Sequence, residues 1–107
     1  MNTYVVLFRG GLPREKLTDD YLKRFASWAR DVSKDLRLSN RLMPNGRIIS
    51  GQSGENVSNV EFSSSLVGGY IVIEADDYDR AVAKLKECPI LGNGGSVEVR
   101  EVLPVQA

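Results

Sequence analysis

Nine residues, Val67-Gly68-Gly69-Tyr70-Ile71-Val72-Ile73-Glu74-Ala75, leave this chain few choices of fold. From Tyr70 to Ile73 the run is apolar and rich in β-branched and aromatic side chains, with two glycines before it and Asp76-Asp77 after it. That is the pattern of a strand covered on both faces; an amphipathic helix would place polar residues inside the run. Side chains alternate along a strand, so Tyr70, Val72 and Glu74 share one face while Gly69, Ile71 and Ile73 share the other. Something has to pack on each.

The opening run Thr3-Tyr4-Val5-Val6-Leu7-Phe8 repeats the pattern, with Tyr4, Val6 and Phe8 on one face and Val5, Leu7 and Arg9 on the other. Gly10-Gly11 and Pro13 end it. Thr18 is a good N-cap, and Asp19 and Asp20 favour the positive end of a helix. Tyr21, Leu22, Phe25, Trp28, Ala29 and Val32 then recur at helical spacing, which predicts a helix from about Asp19 to Lys34. Leu36 to Met43 reads as a connection, and Pro44-Asn45-Gly46 as a turn in which Asn-Gly tolerates positive φ. Arg47-Ile48-Ile49-Ser50 reads as a short strand and Gly51 to Asn56 as an exposed hairpin loop or a flexible lip. Val57 to Ser65 either begins the central strand or forms the second arm of a hairpin. Beyond the central strand, Asp76 or Asp77 caps a helix with Tyr78, Ala81, Val82 and Leu85 on its inner face. An Asp76–Arg80 pair supports that helix, and Cys88-Pro89 ends it. A glycine-rich turn, Ile90 to Gly95, precedes a last strand from Ser96 to Val102, with Val97 and Val99 on one face and Glu98 and Arg100 on the other.

The order β-α-β-β-α-β is the split βαβ, or ferredoxin-like, plan of an α+β sandwich. Two helices cover only one face of its sheet. The other face would carry roughly five large apolar side chains, at about 1.5–3 kcal/mol each, which is too much to leave in water. The expectation is a homodimer with sheets face to face. A fold-back of the Leu36 to Met43 segment across the sheet is the alternative.

At 107 residues and 42% hydrophobic, the chain suits one domain with one core, spanning 1–107. Fourteen basic and fourteen acidic residues cancel, so no global field draws in nucleic acid or an anionic membrane. No apolar run approaches the roughly 20 residues needed to span a bilayer. Met1-Asn2-Thr3 leads straight into a strand without a basic leader segment, so a cytoplasmic protein is expected. The single cysteine, Cys88, cannot form an internal disulfide. Histidine is absent, which removes Ser-His and Cys-His nucleophile systems and the usual zinc sites. Gly92-Asn93-Gly94-Gly95 lacks the Lys-Ser/Thr ending of a phosphate loop and precedes a strand, so it reads as an ordinary glycine-rich turn. Separately, the expectation for cofactors is none.

The strand and glycine pattern resembles the YCII-related (DGPF-type) family of small dimeric α+β proteins. The residues that carry the likeness are Val67 to Ala75, Ala81-Val82, Cys88-Pro89-Ile90-Leu91 and Gly94-Gly95-Ser96-Val97-Glu98-Val99-Arg100. Tyr4 to Gly10 and the strand between Gly46 and Gly51 join them. The resemblance implies ferredoxin-like subunits paired into a dimeric α/β barrel with a cleft near the dimer interface. It also implies catalysis in members that have a His-Asp pair. This chain has no histidine, and Val57-Ser58-Asn59-Val60 stands where the Asp-Gly-Pro-Phe signature would fall.

Five residues are candidates to line such a cleft: Arg9, Trp28, Tyr70, Glu98 and Arg100. Arg9 and Arg100 could hold a carboxylate or phosphate, although Arg9 could equally form a strand-end ion pair with Glu98 or Glu74. Trp28 reads as core or as a ligand platform, and Tyr70 as pocket wall or dimer contact. RNA-recognition domains share this fold plan but want a basic residue and two alternating aromatics on the central strand; here Tyr70 is followed on its face by Val72 and Glu74. The expected function is binding of a small anionic or aromatic molecule near a homodimer interface. One alternative is a cofactor-free enzyme using Glu74 or Glu98 as a carboxylate acid or base. The other is a protein-interaction accessory factor that binds through its outer helices.

Overall fold

The computed structural model describes residues 1–104. The elements run β1 (Asn2–Arg9), α1 (Asp19–Val32), β2 (Asn40–Arg41), β3 (Gly46–Ser50), β4 (Asn56–Val60), β5 (Val67–Ala75), α2 (Tyr78–Leu85) and β6 (Ser96–Glu101). Short 3-10 turns occupy Arg14–Lys16, Leu36–Leu38 and Pro89–Asn93. The main sheet is antiparallel with strand order β2-β5-β1-β6, the order of the ferredoxin-like sandwich. β1 and β5 form its centre, in register from Asn2 opposite Ala75 to Phe8 opposite Gly69.

One expectation is overturned here. The strand from Arg47 to Ser50 is not part of the main sheet; it belongs to β3, which pairs with β4 as a separate two-stranded hairpin, with Ile49 opposite Val57. The sheet's fourth strand is instead β2, two residues long, with Asn40 opposite Tyr70 and Arg41 opposite Gly69. The physical reason is proximity along the chain: β3 and β4 are joined by one short turn, so closing that loop costs little entropy. The turn holds Gly51 and Gly54 at positive φ, whereas Asn45 and Gly46 are not in that region. The hairpin projects from the body. The radius of gyration is 15.3 Å, against about 13 Å for a compact chain of this length.

The Leu36 to Met43 segment runs along the outer margin of β5, where the Leu42 amide donates to the Gly68 carbonyl (2.9 Å). It does not cross the sheet. Both helix starts are capped as the sequence implied. Thr18 Oγ1 accepts from the Tyr21 amide (3.1 Å), and an Asp77 carboxylate oxygen accepts from the Arg80 amide (2.8 Å). α1 stops at Val32, two residues before the expected end, and the Lys34 amide donates to the Val72 carbonyl (2.7 Å) instead. Among the described residues, Asp76 and Arg80 form no ion pair.

The helices pack on the face carrying Tyr4, Val6 and Phe8 of β1 and Ile71, Ile73 and Ala75 of β5, all buried together with Ala81, Leu85, Cys88 and Ile90. Tyr4, Val6, Ile71 and Ile73 are fully buried; the three aliphatic side chains contribute about 1.5–3 kcal/mol each on removal from water, while the Tyr4 hydroxyl has no hydrogen-bond partner among the described residues. Val97 and Val99 complete this layer. The opposite face carries Val5, Leu7, Tyr70 and Val72, all half-buried, with Arg9, Glu74, Glu98 and Arg100 around them.

Candidate functional site

A concavity lies on the helix side, between α1 and the open margin of the sheet. It is a cavity of about 440 Å³, within the range of ligand pockets. Phe8, Gly69 and Ile71 of the sheet form its floor, and Tyr21, Leu22, Phe25, Ala26, Ala29 and Arg30 of α1 form one wall. β2 and the residues after it supply the rim through Asn40, Arg41, Leu42 and Pro44, while Gly10, Gly11, Leu12 and Arg14 approach from the end of β1. Phe62 and Leu66, in the segment returning from the hairpin, border the remaining side.

Sequence dictates each wall. α1 presents Tyr21, Phe25 and Ala29 on one stripe, and alanine at positions 26 and 29 leaves room that a larger residue would fill. An edge-on aromatic cluster stiffens the floor: Phe8 to Phe25 (5.2 Å between centroids), Phe8 to Trp28 (5.9 Å) and Phe25 to Trp28 (5.6 Å). Gly69 lets β2 approach closely, since a Cβ there would lie 3.0 Å from the Asn40 carbonyl oxygen.

The five sequence candidates are not brought together. Arg9, Tyr70, Glu98 and Arg100 belong to the helix-free face of the sheet, and Trp28 lies on the other side among Phe8, Phe25 and Val32. Trp28 packs behind the cavity and is not among its lining residues, and its indole Nε1 is buried with no hydrogen-bond partner among the described residues. Arg9 is engaged: Nη2 and Nε donate to Glu98 Oε1 (3.1 and 3.3 Å), and Nη1 donates to the Ser65 carbonyl (2.9 Å). Tyr70 borders the cavity at the sheet margin, and its hydroxyl accepts from Asn40 Nδ2 (3.1 Å). Arg100 is exposed and lies opposite Val5. Glu74 pairs with Lys34 at 3.9 Å, so neither carboxylate proposed as acid or base lies among the cavity's lining residues.

The lining residues that sequence reasoning missed are Arg14, Arg30, Arg41 and Tyr21 as a polar group. Burial, chiefly, pushes the Tyr21 hydroxyl above its ordinary value, reinforced by the nearby Cys88 thiol and opposed by Asn93, Arg41 and Arg24. Burial likewise pushes the Cys88 thiol up to about 11, which leaves it protonated and poorly nucleophilic at neutral pH. The only cue to the arginines in the sequence is that 14, 30 and 41 flank segments that converge, and convergence is a tertiary fact.

Fold and site together define an α+β, ferredoxin-like protein with an apolar cavity between its first helix and its sheet. The chain belongs to the YCII-related domain family, whose model matches residues 24–106. Among solved structures it is similar to the 5-chloro-2-hydroxyhydroquinone dehydrochlorinase of Burkholderia phenoliruptrix in complex with 2,5-dihydroxybenzoquinone, at 14% identity. That likeness covers 89% of this chain and 90% of the other, with a TM-score of 0.42. No curated protein matches the chain. Among the described residues, no helix is long and apolar enough to cross a membrane.

Proposed function

We propose that this protein binds a small organic molecule in the cavity between α1, β5 and β2, and that it works as a homodimer paired through the helix-free face of its sheet. The cavity carries the first half of this reading. Its floor and walls are aromatic and aliphatic, its polar groups sit at the margin, and its volume suits a ligand of one or two rings. The half-buried patch of Val5, Leu7, Tyr70 and Val72 supports the second half, because two such patches would bury one another.

The test is a thermal-shift comparison of the native protein with Ala26→Trp, which places an indole in the cavity from an exposed helix position. A ligand at 100 times its Kd stabilises the native protein by about 2.7 kcal/mol. Screened against small aromatic acids, phenols and their neutral analogues, the native protein is expected to gain several degrees with at least one chemical series, and Ala26→Trp none. Equal shifts in both proteins would place binding elsewhere, and no shift in either would end the reading.

A further inference from the structure

We infer that the cavity selects an aromatic monoanion, held by its ring between the α1 wall and the Phe8, Gly69 and Ile71 floor and by its carboxylate at the lining arginines. This rests on the reading of the cavity as a ligand site and adds the chemical class. Three arginines, Arg14, Arg30 and Arg41, are among the residues that line the cavity, and among the described residues no aspartate or glutamate lines it. In a chain whose charges cancel overall, that is a local excess of one sign beside a low-dielectric wall, which focuses the field on whatever enters.

Three of the chain's six other arginines are held by carboxylates, while Arg47, Arg80 and Arg100 form no ion pair among the described residues. Arg9 is held by Glu98, Arg24 by Asp20 and Arg37 by Asp35, at 3.1, 3.3 and 2.8 Å. None of the cavity arginines has a carboxylate within ion-pair distance among the described residues. Among the described residues, the Arg14 guanidinium reaches only the Met43 sulfur, at 3.5 Å. A carboxylate is the group whose geometry a guanidinium fork matches, and a ring is what an edge-on aromatic cluster accommodates.

Titration calorimetry with a panel of phenyl and naphthyl carboxylates and their carboxamides tests this, beginning with 3-phenylpropionate and 3-phenylpropionamide. The acid is expected to bind at least tenfold more tightly than its amide, and the gap is expected to narrow with added salt. In the triple variant Arg14→Gln, Arg30→Gln, Arg41→Gln the gap closes to under threefold, while Arg37→Gln, off the cavity and paired with Asp35, keeps it. All these positions are exposed, so circular dichroism should show an unchanged fold. Equal binding of acid and amide would overturn the anion preference and leave the cavity reading standing. A tenfold gap that survives the triple variant would also overturn it. Failure of the whole panel to bind would remove both.

Discussion

Gly10 shows how little space separates the end of β1 from the segment that closes the cavity. Its φ is +69°, and a Cβ there would sit 2.7 Å from the Ser64 carbonyl oxygen. The same residue's amide donates to the Leu66 carbonyl (3.2 Å), so strain and a displaced hydrogen bond would arrive together. Gly10→Ala is expected to cost about 1–3 kcal/mol, read as a lower urea midpoint at unchanged slope. Gly92→Ala, with nothing within 4 Å and no positive φ, is the matched control and should change stability by less than about 0.5 kcal/mol. At this scale the sequence was partly legible. Gly10-Gly11 marked the end of the strand, and of the two ion-pair partners open to Arg9 in the sequence, Glu98 and Glu74, the structure takes Glu98. The positive φ and the contact with Ser64 did not follow, because they depend on where a segment more than fifty residues away returns.

Each element can be ranked by how locally its structure is decided. α1 carries its own start signal, and removing it tests that: Thr18→Ala is expected to destabilise the protein by about 1 kcal/mol. Faster amide exchange at Tyr21 and Leu22 should accompany it, and ligand affinity should fall, since both residues wall the cavity. β1, β5 and both helices were legible because their apolar spacing states both period and face. β2 was not, since Asn40-Arg41 carries no apolar pattern and is a strand only through its pairing with Gly69 and Tyr70. β3 misled for the opposite reason. Ile48 and Ile49 announce a strand, but nothing in their spacing tells whether the partner is the central sheet or the strand just beyond the next turn. The cavity inherits that limit, for its rim is built from β2 and the chain on either side of the hairpin.

For the molecule as a whole, the proposed pairing is separable from the fold. Val72 points away from the helices and is half-buried, so Val72→Asp should leave secondary structure in place while shifting the sedimentation equilibrium to monomer. A native protein already monomeric at millimolar concentration would refute the dimer. The charges framing this face, Arg9 with Glu98 and Lys34 with Glu74, would fix the orientation of two copies more than their affinity.

The projecting hairpin carries a cost of its own. Among the described residues, neither long margin of the β3–β4 ribbon has a neighbouring strand, and Ile48, Ile49 and Val57 stand 56%, 69% and 63% exposed along it. Such a ribbon is a template on which any extended apolar peptide can add itself, another molecule's hairpin included. Concentrated or partly unfolded preparations should therefore begin to aggregate at residues 46–60.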